Sequence, residues 1–403
     1  MLELDLNSPP QLNIGIFTDS YTPYISGVVR SIETFRKDLE RLGHKIYIFA
    51  PDYPKAKPEK NVFRYLSLPA PTQPGFFFPI PLSFRLSFTV NNLKLDIVHV
   101  HTPFLMGSLG AAMARRFNLP LLFTYHTLYQ NYTHYLPMGR SISTHLIRNW
   151  NKYFCNRCDM IIAPSLFVKE LIHDSGVTKP VHIIPTGINV EDYCGNDKLW
   201  LKKRYGIDPG EKIILHVGRL AREKNIGFII DAMAELLKNT SGFKLVIVGT
   251  GTEEDELKLL CSQKNIDRHV IFTGRVTYEE LLKCYAGGDI FAFASRSETQ
   301  GIVLIEAKAS GMPIVALDSP CMAEILTHGE DGFLVESRDT FVQKVRFLLD
   351  NEDRAREMGN KARTNAAAFS APILAEKLEQ VYYYTLLQKK DEYTREGAGS
   401  TAK

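Results

Sequence analysis

The sequence predicts an α/β protein with two doubly wound domains, each a parallel β-sheet covered by helices. Short apolar runs alternate with helical patterns along the chain, which is typical of buried parallel strands joined by helices. The stretch Asp192–Gly210 interrupts this alternation, which begins again at Ile213, and the domain boundary is expected near the polar stretch Ile188–Asn196. The length of 403 residues also suits two domains, because one domain commonly takes about 100–200 residues.

The first series of apolar runs predicts six strands. A helix over Val28–Leu42 is expected between the first two strands, and Gly43 follows it in the position of a helix C-cap. The strands are predicted at Leu12–Thr18, Lys45–Ala50, Ile97–His101, Leu121–Thr124, Met160–Ala163 and Val181–Ile184.

The second series predicts another sheet of the same kind, with a helix near Ile226–Leu237. We expect residues 1–193 to form the first domain and residues 194–372 the second, with a C-terminal helix at about 373–390 packing back on the first. The strands are predicted at Ile213–Val217, Lys244–Val248, Val270–Thr273, Ile290–Ala294, Pro313–Leu317 and Phe333–Val335. Ligands of such sheets bind beyond the carboxyl ends of the strands, so functional residues are sought there.

Composition excludes several other classes of protein. Hydrophobic residues make up 45% of the chain and charged residues 23%, as in ordinary soluble globular proteins. Six cysteines are too few for a disulfide scaffold, and no apolar run is long enough to span a membrane. The first residues do not have the pattern of a signal peptide, so we expect a cytoplasmic protein.

Charge is distributed unevenly along the chain. Through Val190 there are 19 Lys and Arg against 12 Asp and Glu, which gives +7, while the remainder carries −4. This asymmetry predicts that the basic first half of the chain lies near a polyanionic surface of some other molecule or assembly. A nucleic-acid binder would explain the same charge, but the chain lacks the expected basic motif interleaved with aromatic residues.

The segment Ser295–Glu306 follows a predicted strand and opens a helix at about Gly301. Such a strand-to-helix turn exposes backbone N–H groups and suits phosphate. Glu298 and Glu306 are separated by up to about 12 Å along a helix, more than the roughly 5–9.5 Å of glycosidase carboxyl pairs. We therefore expect two separate hydrogen-bonding roles, one at a sugar and one at a ribose. The alternative is a helix cap followed by an ordinary helical glutamate.

Three further loops follow predicted strands. Gly218–Asn225 offers a glycine for close ligand approach, a guanidinium at Arg219 and a point charge at Lys224. Gly27 opens a helix after the first strand, and Val248–Gly251 is a short glycine turn that includes Gly249. Neither has the dinucleotide fingerprint. A solvated basic loop is the alternative for Gly218–Asn225.

These segments, in this order and spacing, resemble the nucleotide-sugar signature of retaining glycosyltransferases with the GT-B fold, specifically glycosyltransferase family 4. The resemblance spans almost the whole chain. His101–Gly107 and Thr124–Pro137 resemble the bacterial diacylglycerol glucosyltransferases. The resemblance implies two Rossmann-like domains facing across a cleft, and transfer of a hexose, glucose, from UDP-glucose to a membrane lipid such as diacylglycerol.

The resemblance also implies roles for individual residues. Arg219 and Lys224 would hold the diphosphate, Glu306 would bind the ribose hydroxyls, and Glu298 would hold the donor sugar with backbone groups at Thr299–Gly301. The predicted catalytic residues are His126, Arg219, Lys224 and Glu298, and the predicted donor-binding residues are Gly27, Gly218, Arg219, Lys224, Gly249, Arg275, Val276, Glu298, Thr299, Gln300, Gly301 and Glu306.

The implied chemistry is retaining transfer by front-face attack through an oxocarbenium-like transition state. His126 would lie at the sugar near the anomeric carbon, Gly27 under the phosphates, and the backbone at Arg275 and Val276 at the base. Fixed cations would stabilise the charge that develops on the departing β-phosphate, so the mechanism needs no metal and no other cofactor. His99 lies within an apolar strand and is predicted to be a core residue.

Two segments of the first half are candidates for contact with the acceptor or the membrane. Pro137–Cys158 contains four basic and no acidic residues, with apolar residues near helical spacing and Trp150 among them. Such a helix suits an anionic membrane surface, and a core-packed helix with a solvated basic face is the equal alternative. Phe76–Phe78 either contacts lipid or belongs to a buried hairpin. We therefore predict a peripheral enzyme on the inner face of the cell membrane.

Two other enzymes remain as alternatives. A family 4 enzyme with a soluble or polysaccharide-precursor acceptor would share all these motifs. A nucleotide-sugar epimerase can share the two-Rossmann architecture, although the glutamate pair and the Arg219–Lys224 arrangement disfavour it.

Overall fold

The computed structural model describes residues 10–70, 75–80, 86–128 and 140–400, with the backbone alone for 86–87, 140–144 and 392–400. The chain divides into two compact units, and each unit contains one large parallel sheet. The first unit comprises the chain up to Gly187 and again from Ala371, and the second unit is Ile188–Ser370.

The sheet of the first unit has the strand order β3-β2-β1-β6-β7-β8-β9, while β4 and β5 form a separate antiparallel hairpin. These strands are Asn13–Phe17 (β1), Lys45–Pro51 (β2), Val62–Tyr65 (β3), Ser67–Pro69 (β4), Phe77–Pro79 (β5), Ile97–Val100 (β6), Leu121–Thr124 (β7), Met160–Ala163 (β8) and Val181–Ile183 (β9). The helices between them, within the described residues, are Gly27–Arg41 (α1), Leu86–Leu93 (α2), Leu105–Phe117 (α3), Arg140–Arg157 (α4) and Leu166–Asp174 (α5).

The sheet of the second unit has the strand order β12-β11-β10-β13-β14-β15. Its strands are Lys212–Val217 (β10), Phe243–Val248 (β11), Val270–Gly274 (β12), Ile290–Phe293 (β13), Ile314–Leu317 (β14) and Gly332–Val335 (β15). Its helices are Trp200–Tyr205 (α6), Ile226–Leu236 (α7), Glu254–Gln263 (α8), Tyr278–Gly287 (α9), Ile302–Ser310 (α10), Pro320–Ala323 (α11), Arg338–Asp350 (α12) and Glu352–Ala366 (α13).

The central strands are apolar at nearly every position because helices cover both faces of each sheet. Every residue of β6, β7 and β8 is buried, as is every residue of β13 and β14. Such strands give the continuous apolar runs from which the sequence predicts them. The predicted parallel α/β architecture is therefore confirmed in both units.

The last helix, Ala371–Ser400 (α14), returns to the first unit. Leu374, Leu378 and Tyr382 are buried in the same apolar cluster as residues of β1 and α1. The helix ends beyond residue 390, where the sequence prediction placed its end.

The strands β3 and β4 of the first unit were not predicted from the sequence, whereas a hairpin at Phe76–Phe78 was one of two alternatives. The edge strand β3 is only partly buried, and the β4–β5 hairpin pairs Leu68 with Phe78. Of the two alternatives for Phe76–Phe78, the structure therefore has the hairpin, but the hairpin is only partly buried, since Phe78 is 46% exposed and Pro79 is buried. None of the helices in the described part of the chain is long and apolar enough to cross a membrane.

Candidate active site

An ion pair lies where β10 and β13 of the second unit end. The Lys224 Nζ is 2.6 Å from the Glu298 Oε1, and the two side chains are only 22% and 15% exposed. Two hydrogen bonds tie the backbone around Lys224 to the residues that follow β13. The Asn225 side chain donates to Ala294 O, and Ser295 Oγ donates to Glu223 O. Two predicted site residues, 74 positions apart in sequence, are thus in direct contact.

The charge of Lys224 favours the ionised form of Glu298. Burial by itself would raise the pKa of Glu298, but the Lys224 ammonium outweighs it and holds the pKa of the carboxyl below its usual value. Glu298 is therefore ionised at neutral pH. Arg219, also in the loop after β10, donates to the Glu223 carboxylate at 2.5 Å. The two predicted phosphate ligands, Arg219 and Lys224, are thus each paired with a carboxylate. An incoming anion must compete with those carboxylates.

Glycines allow two loops at this edge to touch through their backbones. Gly218 N–H donates to Val248 O and Leu220 N–H donates to Thr250 O, each at 3.0 Å. A Cβ on Gly249, whose φ is 137°, would lie 1.9 Å from Gly218 O. Because no side chain fits there, only glycine lets the loop after β11 lie against the loop after β10.

The other predicted donor-binding residues lie on neighbouring strand ends. Gly249 N–H donates to Gly274 O at 3.1 Å, so Arg275 and Val276 begin directly beside the glycine turn. Gly301 has a φ of 70° and caps α10, as predicted, and the segment Thr299–Gly301 precedes the helix. Gln300 is buried in this turn.

Glu306 is placed differently from Glu298. It is 1% exposed on α10, and its Oε1 and Oε2 accept hydrogen bonds from Tyr193 at 3.0 Å and Tyr285 at 2.5 Å. The two glutamates therefore have separate partners. Each oxygen of the Glu306 carboxylate thus accepts a hydrogen bond from a tyrosine hydroxyl.

His216 is a residue of this edge that sequence reasoning missed. Its ring lies on β10 with its centroid 6.4 Å from that of Phe291 and 6.3 Å from that of Phe293, and its Nδ1 is 2.9 Å from Ala292 O. Its Nε2 is buried without a partner among the described residues and would lie 3.4 Å from a Cβ on Gly218. Burial lowers the pKa of His216 to about 4, so the ring is neutral. A single histidine within an apolar run gave no signal that distinguished it from a core residue.

The first unit has a contrasting set of side chains where β6 and β7 end. His101 Nδ1 lies 2.8 Å from His126 Nε2, and the two rings stack with centroids 5.1 Å apart. Burial lowers the pKa of His126 to about 3 and lowers that of His101 strongly. Both rings are therefore neutral at physiological pH. His99 is 1% exposed, so its prediction as a core residue is confirmed.

Asp19 follows β1 and adds a buried carboxyl to the same unit. Its Oδ1 accepts the Met106 N–H at 2.8 Å at the start of α3, whereas its Oδ2 has no partner among the described residues. Burial raises the pKa of Asp19 to about 6.

Gly27, the first residue of α1, has no atom within 4 Å of the place of a Cβ, so that face of the loop is open. Within the described ranges, no group of three or more His, Cys, Asp and Glu is arranged to hold a metal ion.

Comparison with known proteins defines the class of this molecule. Residues 25–192 match the model of the family described as Glycosyltransferase Family 4, and residues 197–365 match Glycosyl transferases group 1. HepE of Anabaena, solved in complex with UDP, superposes with a TM-score of 0.75 at 17% identity over 93% of this chain and 100% of its own. The protein is a glycosyltransferase with the GT-B fold.

Sequence relatives give the family. Alpha-monoglucosyldiacylglycerol synthase of Streptococcus pneumoniae is 34% identical over 336 residues, which are 80% of this chain and 75% of the relative. The protein of the same name from Acholeplasma laidlawii is 30% identical over 389 residues, 92% of this chain and 96% of the relative. The chain therefore belongs to glycosyltransferase family 4. The predicted family and enzyme class are confirmed, while the roles of the individual site residues stay predictions.

Proposed function

We propose that this enzyme transfers glucose from UDP-glucose to a membrane lipid acceptor such as diacylglycerol, with retention of anomeric configuration and without a metal ion. The observation that carries the proposal is the similarity, over most of the chain, to two proteins named alpha-monoglucosyldiacylglycerol synthase. The charged edge of the second unit supports a nucleotide-sugar donor, since it combines fixed cations with glycine turns.

In the proposed reaction, the second unit binds the donor. Lys224 and Arg219 hold the diphosphate, and Gly218 and Gly249 let the phosphates approach the backbone. For this, Lys224 must exchange one contact with Glu298 for a phosphate oxygen. Glu298 then becomes available to accept hydrogen bonds from hydroxyl groups of the sugar, which the backbone groups at Thr299–Gly301 also hold.

The remaining predicted residues complete the donor site in this proposal. Glu306 accepts from the ribose, and the backbone at Arg275 and Val276 contacts the base. Gly27 allows the loop before α1 to approach the phosphates, and its open face is compatible with this role. His126, a neutral ring, hydrogen-bonds the sugar near the anomeric carbon.

The proposed chemical step is a substitution on one face of the sugar. The bond between the anomeric carbon and the β-phosphate oxygen breaks, and a bond to the acceptor hydroxyl oxygen forms on the same side. The hydroxyl proton passes to the departing phosphate oxygen. Negative charge grows on that phosphate, where Lys224 and Arg219 stabilise it more strongly in the transition state than in the ground state.

The first unit is proposed to bind the acceptor and an anionic membrane surface. On α4, Leu146, Trp150 and Tyr153 are 51%, 38% and 53% exposed, and Arg148 and Lys152 are exposed beside them. Exposed aromatic and aliphatic side chains interleaved with cations suit the interface of an anionic bilayer. Residues 137–139 of the predicted amphipathic segment lie outside the described residues. The enzyme is thus proposed to act at the inner face of the cell membrane.

A panel of radiolabelled nucleotide sugars, incubated with the protein and lipid extracts, tests the reaction. We expect labelled glucolipid from UDP-glucose and diacylglycerol, with an α-linkage by NMR of the product. Labelled product only with water-soluble acceptors would replace the lipid proposal by a soluble or polysaccharide-precursor acceptor.

Vesicle flotation tests the membrane surface. We expect binding to anionic vesicles that weakens with salt, because the contact is partly electrostatic. Leu146→Asp should weaken flotation, whereas Leu259→Asp, at a similarly exposed position on α8 of the second unit, should not. Equal flotation of both variants and the unaltered protein would contradict the assignment of this surface to α4.

A further inference from the structure

The C-terminal helix reaches the interior of the first unit through one buried hydroxyl. Tyr382 on α14 is 0% exposed, and its hydroxyl oxygen lies 2.7 Å from Nδ1 of His99. On its other side, the His99 ring has Nε2 2.7 Å from Oγ1 of Thr124, the last residue of β7. Both nitrogens of the His99 ring are therefore engaged, and the ring is fixed in its plane.

The fixed ring of His99 lies against His101, which in turn holds His126. The centroids of the His99 and His101 rings are 4.3 Å apart, and the ring planes are inclined by 36°. His101 Nδ1 lies 2.8 Å from His126 Nε2. A continuous path of contacts, buried as far as His101, thus leads from α14 to the partly buried His126, through side chains at the carboxyl ends of β6 and β7.

The hydrogen bonds of this path have a direction. A phenol is a better donor than an aliphatic hydroxyl, so Tyr382 donates to His99 Nδ1 and His99 donates from Nε2 to Thr124. Nε2 of His101 is buried without a partner among the described residues. An unpaired buried N–H is rarer than an unpaired acceptor, so the His101 proton is on Nδ1 and is donated to His126 Nε2. His126 then carries its own proton on Nδ1.

We propose that Tyr382 is a positioning residue for His126. By holding His99, it fixes the ring on which His101 packs, and His101 in turn fixes the orientation and tautomer of His126. This inference rests on the proposed role of His126 at the donor sugar. It makes the C-terminal helix, which lies at the other end of the sequence, part of the apparatus that prepares the reacting groups.

The first test compares two adjacent tyrosines of α14. Tyr382→Phe removes the hydroxyl that holds His99 and keeps the ring. Tyr383→Phe is the matched control, because the Tyr383 hydroxyl also makes a hydrogen bond, at 2.8 Å to Pro10 O, but contacts none of these three histidines. We expect Tyr382→Phe to lower kcat about tenfold, as for the loss of one buried hydrogen bond, with an unchanged KM for the donor. Tyr383→Phe should leave kcat unchanged.

The second test does not depend on the identity of the acceptor. Long-range ¹H–¹⁵N NMR of the imidazole nitrogens reports which nitrogen of His126 carries the proton. We expect the Nδ1–H form in the unaltered protein and in Tyr383→Phe, and altered His126 signals in Tyr382→Phe. Unaltered His126 signals in Tyr382→Phe, or altered signals with an unaltered kcat in a protein that does transfer glucose, would overturn the proposal.

A second variant protects the test against misfolding. Thr124→Val removes the other partner of His99 with little change in shape, and it should alter the His126 signals in the same way. A protein that transfers nothing to diacylglycerol would refute the proposed function, and the NMR comparison would still decide whether Tyr382 positions His126.

Discussion

The carboxyl edges of the two sheets differ in the kind of polar group that they present, which is charged in the second unit and neutral in the first. In the second unit, the edge presents opposite charges at short range, with Lys224 against Glu298 and Arg219 against Glu223. In the first unit, the corresponding edge presents neutral imidazoles that hydrogen-bond each other, with His101 against His126. Two units of the same architecture thus offer very different surroundings to a ligand.

The difference follows from burial and pairing. A buried charge is tolerated where a partner of opposite sign compensates it, whereas an imidazole without such a partner loses its proton. An edge of exchangeable ion pairs suits a ligand that brings its own charge, such as a diphosphate. An edge of neutral donors and acceptors suits hydroxyl groups. The comparison is therefore consistent with the proposal that the fixed cations of the second unit hold the diphosphate and that His126 of the first unit meets a sugar hydroxyl.

The largest effect is expected from removing the charges of the second unit. Lys224→Ala or Glu298→Ala should lower the rate of transfer about 1,000-fold, because a fixed group that stabilises the transition state is lost. Circular dichroism should show a folded protein. Lys258→Ala is the control, since Lys258 makes a similar 2.7 Å pair with Glu254 on the solvated face of α8. Folded variants at Lys224 or Glu298 that retain turnover would contradict the assignment.

Gly249→Ala should have the next largest effect, on the second unit alone. The new Cβ would collide with Gly218 O and occupy a conformation with positive φ, so the free energy of unfolding should fall by about 3 kcal/mol. Gly227→Ala, within α7, is the control, because its Cβ would make an ordinary contact at 3.5 Å with Leu260. Similar denaturation midpoints for both variants would show that the loops do not depend on this close approach.

Acid should destabilise the first unit more steeply than the second. Burial lowers the pKa of His99 and His126 to about 3, lowers that of His101, and lowers that of His216 to about 4. Between pH 6.5 and 5 the unfolded chain binds protons that the folded chain does not, so stability falls by up to about 1.4 kcal/mol per histidine per pH unit. Asp19 opposes this, because its raised pKa lets the folded state bind a proton first.

The two tryptophans allow this comparison to be measured. Trp150 lies in the first unit and Trp200 in the second, and the chain contains two tryptophans in all. In the variant Trp200→Phe the remaining tryptophan, Trp150, reports the urea unfolding of the first unit. In Trp150→Phe the remaining Trp200 reports the urea unfolding of the second unit. A steeper fall with acid in the signal of Trp200 than in that of Trp150 would contradict the expected order.

The smallest effect is expected at Gly27. Gly27→Ala adds a methyl group where no atom lies within 4 Å and does not require an unusual backbone, so stability should not decrease. If the loop before α1 approaches the phosphates, the methyl group should weaken donor binding about fivefold, or roughly 1 kcal/mol. Isothermal titration with UDP-glucose checks this. Unchanged affinity would remove Gly27 from the donor site.

Much of the fold was predictable because its central strands are buried on both faces. Runs such as Ile213–Val217 and Leu121–Thr124 are apolar at all but one position, and that pattern is visible without the structure. The strands β3 and β4 were not predicted because they are short, partly exposed and mixed in composition. Their positions depend on neighbours rather than on local pattern.

The site was predictable to the extent that strand ends converge. That rule brought Lys224 and Glu298 to one edge, but it did not indicate that they pair with each other. The partners of Glu306 and His99 are further examples, since Tyr193 lies 113 residues from Glu306 and Tyr382 lies 283 residues from His99. Tyrosines at such separations carry no local signal, so only the packed structure shows their contacts.

The return of the chain at Ala371 has a consequence for biosynthesis. Gly187, where the chain leaves the first unit, would contact the Ala371 backbone at 2.5 Å if it carried a Cβ, so exit and re-entry are adjacent. The second unit is thus an insertion within the first, continuous in sequence and able to fold as soon as Ser370 has left the ribosome. The first unit must wait until α14 emerges. His99 then remains without its tyrosine until α14 has been synthesised, so this part of the first unit is incomplete while the whole of the second unit is being made.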